Sequence, residues 1–108
     1  MYHEDYPNDV PARLRRVLGK FMFFDWPPSF LDMTKNATKT ALRYEFTDDD
    51  IDVCTAYIDR VMANRTEDEM NAFWNSLHTQ VHVVSGNGGR RILEAIREGL
   101  TSAKAASR

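Results

Sequence analysis

Residues 73–100, FWNSLHTQVHVVSGNGGRRILEAIREGL, hold the pattern that decides the fold. The stretch predicts the end of one helix, a short apolar strand over residues 80–84, a glycine-rich turn over residues 86–89 and a closing helix. The apolar stripe of the closing helix is formed by Ile92, Leu93, Ile96 and Leu100. Because this stripe must be buried, we expect the turn to fold the closing helix back over the apolar face of the helix that precedes the strand.

Two threonines predict where the third and fourth helices begin. Thr47 is followed by Asp50 at the third helical position, and Thr66 is followed by Glu69 in the same relation, which is the capping-box pattern. Apolar residues at helical spacing come after each threonine. The sequence therefore predicts a helix over residues 48–63 and a neighbouring helix immediately after Thr66.

The first half of the chain is less uniform. Apolar residues at helical spacing predict a first helix over residues 10–24, which must end before Pro27. Residues 29–46 fit either one long helix or a short helix followed by a strand over residues 40–46. We favour the helix and strand, because a strand over residues 80–84 needs a neighbour for its backbone groups.

The length of 108 residues predicts one domain with one core. Residues 1–9 are expected to form a flexible N-terminal arm, and residues 102–108 a frayed C-terminal tail. The expected fold class is mainly α, or α+β with a minimal sheet. It would contain four to five helices around one core and one or two short strands.

Composition narrows the class of function. The chain has a single cysteine, Cys54, so no internal disulfide can form and nothing indicates an oxidising compartment. The start of the chain does not resemble a signal peptide, and no apolar run is long enough to span a bilayer. The formal net charge of −2 argues against a nucleic-acid partner, which requires a basic face. We therefore expect a cytoplasmic protein with no nucleic-acid or membrane partner; oligomeric state stays open.

No catalytic set, cofactor site or metal site is predicted. The turn that precedes Arg90 could hold a phosphate at a helix N-terminus. The order of strand, G-x-G turn and apolar helix start is similar to the pantetheine-binding turn of GNAT acetyltransferases. The turn lacks the Lys-Ser/Thr ending of a P-loop, and Arg90 occupies a position where the GNAT acetyltransferases have a small residue. The three histidines, His3, His78 and His82, do not have metal-ligand spacing on one element. Cys54 falls on an apolar helix face, where a thiol is inert.

Carboxylates cluster around the starts of the third and fourth helices. Part of this acidity is explained by favourable placement at helix N-termini, and the excess would form a negative surface that steers a basic partner. An exposed tryptophan would add an apolar anchor. The candidate partner-binding residues are Asp48, Asp49, Asp52, Glu67 and Asp68, with Trp26 or Trp74 as the anchor.

Four short motifs follow one another in the second half of the chain: TEDE at residues 66–69, FWNSL at 73–77, VHV at 81–83, and LEAI at 93–96 after two arginines. This order resembles the C-terminal half of small bacterial immunity proteins, those encoded beside contact-dependent inhibition and other polymorphic toxins. The resemblance implies a non-enzymatic cytoplasmic protein that binds and blocks a toxin domain, often a nuclease. The alternatives are a small acyltransferase-like domain, or one that binds phosphate or coenzyme A, using residues 86–91, and a phage-type inhibitor or scaffold subunit.

Overall fold

The computed structural model describes residues 10–19, 29–77 and 86–106. Within these ranges the chain forms α-helices and no strand, so the expected mainly α class is confirmed. The predicted strand over residues 80–84 and the predicted arm over residues 1–9 lie outside the described residues. The helices are α1 (Ala12–Gly19), α2 (Phe30–Arg43), α3 (Asp48–Met62), α4 (Glu67–Asn75) and α5 (Gly88–Ala106).

Both predicted capping boxes are present. The Thr47 N–H donates to Asp50 Oδ2 at 2.9 Å, and the Asp50 N–H donates to Thr47 Oγ1 at 3.1 Å. At the start of α4, the Thr66 N–H donates to Glu69 Oε1 at 2.8 Å and the Glu69 N–H donates to Thr66 Oγ1 at 3.2 Å. Hydrogen bonds from the backbone and side chain of Thr66 lower the pKa of the Glu69 carboxyl. The starts of α3 and α4 are thus fixed by local chemistry.

The strand expected over residues 40–46 is wrong, because helix α2 runs through Arg43 without a break. Glu45 then adopts a left-handed conformation with φ of 55°. Its N–H donates to the Leu42 carbonyl at 3.2 Å, and the Phe46 N–H donates to the Ala41 carbonyl at 2.9 Å. This is a Schellman ending. The backbone donors that a strand would offer to a neighbour are used within the helix end instead.

The frayed tail expected from Ser102 onward is also wrong over most of its length. Helix α5 continues to Ala106, and Ala103 is 1% exposed. The small side chain of Ala103 continues the buried face of the helix, and Lys104 forms an ion pair with Asp52 of α3 at 2.8 Å. These tertiary contacts stabilise the last part of the helix, although the segment contains few large apolar residues.

Helix α5 is the central element of the fold, because α2, α3 and α4 all pack against it, while α1 packs against α2 and α3. The crossing of α2 and α5 is close. The Thr38 hydroxyl donates to the Gly99 carbonyl at 2.8 Å, and the Thr34 hydroxyl lies 3.0 Å from the Ala95 carbonyl. A Cβ atom added to Gly99 would collide with the backbone carbonyl of Thr34. Small residues therefore bring the two backbones together.

The apolar face of α4 packs against α5 and closes the core, as the sequence predicts. Met70 and Trp74 of α4 and Leu77, which follows the helix, are each fully buried, while Phe73 is half-buried and its ring lies at a tilt to that of Tyr57 of α3. Among the described residues, no helix is both long enough and apolar enough to cross a membrane.

Candidate functional site

Asn71 of α4 joins that helix to the turn that opens α5. Its side chain is 5% exposed. The Gly89 N–H donates to Asn71 Oδ1 at 2.8 Å, and Asn71 Nδ2 donates to the Gly86 carbonyl at 2.9 Å. A Cβ atom on Gly89 would lie 2.8 Å from both Asn71 Oδ1 and the Met70 carbonyl. The side chain of α4 thus caps α5, and the glycine at residue 89 is required by this close approach.

The two arginines that follow the turn have partners within the chain. Arg90 Nε lies 3.0 Å from Glu67 Oε1 and 3.2 Å from Oε2. The guanidinium of Arg91 lies 4.2 Å from the centroid of the Phe30 ring, which is cation–π geometry. Because Asn71 and Glu67 occupy groups that a phosphate would need, this arrangement favours the interpretation of the turn as a tertiary connection.

Replacing Asn71 with alanine should destabilise the fold by about 1–3 kcal/mol, because it leaves the Gly89 N–H buried without an acceptor. Urea denaturation followed by circular dichroism measures this change. Asn36→Ala is the matched control, since Asn36 is a half-buried asparagine within α2, and its replacement should change stability by less than about 0.5 kcal/mol. Equal denaturation midpoints for the two variants would contradict the capping role of Asn71.

Ion pairs connect α5 to α3 and α4. Lys104 pairs with Asp52 at 2.8 Å, Arg97 pairs with Asp59 at 2.7 Å, and Arg90 pairs with Glu67 at 3.0 Å. The hydrogen bonds and charge of Asp59 raise the pKa of Arg97. The basic residues recur every seven positions and meet the acids in reverse order, so α5 runs antiparallel to α3. The pairs are exposed, and solvent screens each of them.

The predicted acidic residues do not form one continuous surface. Asp52 and Glu67 pair with residues at opposite ends of α5, and those ends are separated by 14 residues of helix, or about 21 Å. Asp48 and Asp49 lie in the first turn of α3, and Asp52 follows in the next turn, whereas Asp68 lies beside Glu67 in the first turn of α4. The structure therefore divides the five carboxylates into two groups.

The prediction that Trp74 is an exposed anchor is wrong, because its side chain is 0% exposed. It belongs to the apolar stripe of α4 that packs against α5, and a residue on that stripe cannot reach a partner. Trp26, the other candidate anchor, lies outside the described residues.

Val53 is an exposed apolar side chain that sequence analysis missed. It is 56% exposed on the outer face of α3. Asp49 lies one helical turn before it on the same face, and Asp52 is its neighbour in the chain. The signal was present in the sequence, since Val53 lies off the stripe of Ile51, Cys54 and Ile58.

Cys54 is fully buried on the apolar face of α3. Burial, reinforced by the charge of Asp50 and opposed by that of Arg13, raises the pKa of its thiol to about 11. The thiol is therefore protonated at neutral pH and packs as a small apolar group. His3, His78 and His82 lie outside the described residues. Among residues 10–19, 29–77 and 86–106, no three histidine, cysteine or acidic side chains are grouped so that they could hold a metal ion.

No protein-family model, curated protein or solved structure matches this chain.

Proposed function

We propose that this chain is a non-enzymatic immunity protein that binds and neutralises a cognate bacterial toxin domain, with a nuclease as the expected target. The observation that carries the proposal is the outer face of α3, where the exposed Val53 lies beside the carboxylates of Asp48, Asp49 and Asp52. The resemblance of residues 66–96 to small immunity proteins supports the same class of function. Such a protein would act in the cytoplasm, where a nuclease toxin finds its substrate.

The chemistry of this face suits a basic partner. A nuclease must hold phosphates and therefore presents lysine and arginine side chains. Carboxylates at the start of α3 would speed encounter with that surface and fix its orientation. Val53 would supply an apolar contact from which water is excluded when the complex forms. Lys104 already holds Asp52 in place at 2.8 Å, so Asp49 is the carboxylate best placed to meet a partner.

The glycine turn offers less support for a phosphate-binding or acyltransferase-like function. A ligand there would compete with Asn71 for the Gly89 N–H and with Glu67 for Arg90. The immunity proposal requires no such competition.

The proposal predicts that the purified chain forms a complex with the toxin domain encoded immediately upstream of its gene. Isothermal titration calorimetry measures the affinity. Asp49→Lys should weaken the complex by about tenfold or more, because it places a positive charge against a basic surface.

Asp32→Lys is the matched control for this charge reversal. Asp32 is also an exposed carboxylate in the first turn of an N-capped helix, so both variants lose the same favourable interaction with the helix dipole. The control should bind as tightly as the unmodified chain. A lack of binding at micromolar concentration, or an equal loss in both variants, would contradict the proposal.

A further inference from the structure

The outer face of α5 carries two grooves that share a common wall. One groove, of about 590 Å³, lies toward α3 and is lined by Met62, Thr101 and Ala105 among others. The second, of about 250 Å³, lies toward α2 and is lined by Leu31 and Thr34 among others. Glu94 and Glu98 line both grooves. These two glutamates, here called the carboxylate ridge, therefore stand between two concave strips.

The carboxylate ridge has uncompensated charge. Both glutamates are exposed, and in the part of the chain that the structure describes neither accepts a hydrogen bond or joins an ion pair. The other charged residues that line the larger groove, Asp59 and Arg97, neutralise each other through two hydrogen bonds of 2.7 and 3.1 Å. Each ridge carboxylate would thus gain from a cation that the described residues do not supply.

The strips on either side of the ridge are partly apolar. Leu31 is 62% exposed beside the smaller groove, and the half-buried Met62 lies in the larger one. A single exposed apolar side chain is common on protein surfaces. Here, however, apolar side chains flank both sides of one charged row, so the face combines an acidic centre with apolar margins.

We propose that this face of α5 docks a partner helix that carries two basic side chains one turn apart, with apolar side chains on both flanks. Glu94 and Glu98 are four residues apart, so their Cβ atoms are separated by about 5–6 Å, and basic residues at the same spacing on a partner helix would match them. The flanking apolar side chains would fill the grooves toward α2 and α3. Arg91, held over the Phe30 ring, places a positive charge at one end and so sets the direction of the partner helix.

This docking face differs from the start of α3 that the proposed function uses, and the inference does not depend on a toxin. The probe is an alanine-rich peptide of about 16 residues, long enough to form a helix, with two arginines four residues apart and leucines on both flanks. A twin peptide carries glutamine in place of the arginines. Calorimetry gives the affinities, and amide chemical shifts of the labelled protein give the footprint.

We expect the arginine peptide to bind with shifts centred on Leu31, Met62 and Ser102, and the glutamine peptide to bind at least about tenfold more weakly. Glu94→Gln with Glu98→Gln should weaken the arginine peptide to a similar extent. The double replacement removes a repulsive like-charge pair, so a melting temperature that is unchanged or raised shows that the fold is intact.

The matched control is Asp48→Asn with Asp49→Asn, which removes the same charge elsewhere on the surface. It should leave the affinity of the arginine peptide within about twofold, since screening limits the reach of exposed charges. Any of three results would overturn the proposal: no binding at about 1 mM peptide, a footprint on the start of α3, or an equal loss in both pairs of variants.

Discussion

Replacing Trp74 with alanine should lower the free energy of unfolding by about 3–5 kcal/mol, as expected for a large aromatic side chain in a packed core. Trp74 is 0% exposed and lies on the face of α4 that packs against α5. The loss combines the transfer free energy of the indole with the cavity that it leaves. Because small domains are only about 5–15 kcal/mol stable, the variant should be partly unfolded at moderate temperature. Urea denaturation followed by circular dichroism at 222 nm, a standard helix signal, measures the change.

Val53→Ala is the control for this truncation. Val53 is 56% exposed on α3, and alanine has the higher helix propensity, so stability should change by less than about 0.5 kcal/mol. If Trp74→Ala were as stable as this control, α4 could not close the core in the way described. If it were unfolded entirely, Trp74→Phe would give a measurable intermediate loss.

Replacing Gly99 with valine should destabilise the protein by about 3 kcal/mol or more, at or above the usual range for an overpacked core. A Cβ atom at this position would collide with the backbone carbonyl of Thr34 and would lie 2.7 Å from the Ala37 Cβ. Backbone atoms cannot rotate away, so α2 and α5 must separate. That separation would also stretch the hydrogen bond from Thr38 to the Gly99 carbonyl, now 2.8 Å. Thermal or urea unfolding measures the loss.

Ser102→Val is the control, because Ser102 is exposed on the same helix and its replacement changes only helix propensity, by a few tenths of a kcal/mol. Gly99→Ala tests the sign of the change in stability. Helix propensity alone would make it stabilising by about 1 kcal/mol, whereas the close crossing makes it destabilising. A more stable Gly99→Ala protein would show that α2 and α5 are farther apart than the structure indicates.

The sequence by itself determined where α3 and α4 begin and which faces of α4 and α5 are buried. Each capping box joins residues only three apart, and an apolar stripe repeats within a few turns of one helix. Such patterns involve residues of one short segment, so helix starts and buried faces can be predicted without knowledge of the tertiary structure.

Only the tertiary structure decided the continuation of α5 to Ala106 and the division of the acidic residues. The ending of α2 is local, but it depends on a left-handed Glu45, which neither the alternation over residues 40–46 nor the need of residues 80–84 for a neighbour reports. Trp74 lies on the apolar stripe that the spacing predicts, and the tertiary structure shows that α5 is the element packed against that face of α4.

The contacts that position the helices against one another join residues far apart in the chain. Asn71 and Gly89 are 18 positions apart, Asp59 and Arg97 are 38 apart, and Thr38 and Gly99 are 61 apart. No local pattern pairs an asparagine with a distant glycine, or a threonine with a carbonyl on another helix. Short-range hydrogen bonding and periodicity therefore dictate the starts and the buried faces of these helices. Which side chains share a surface follows from which helices meet, and only long-range packing decides that.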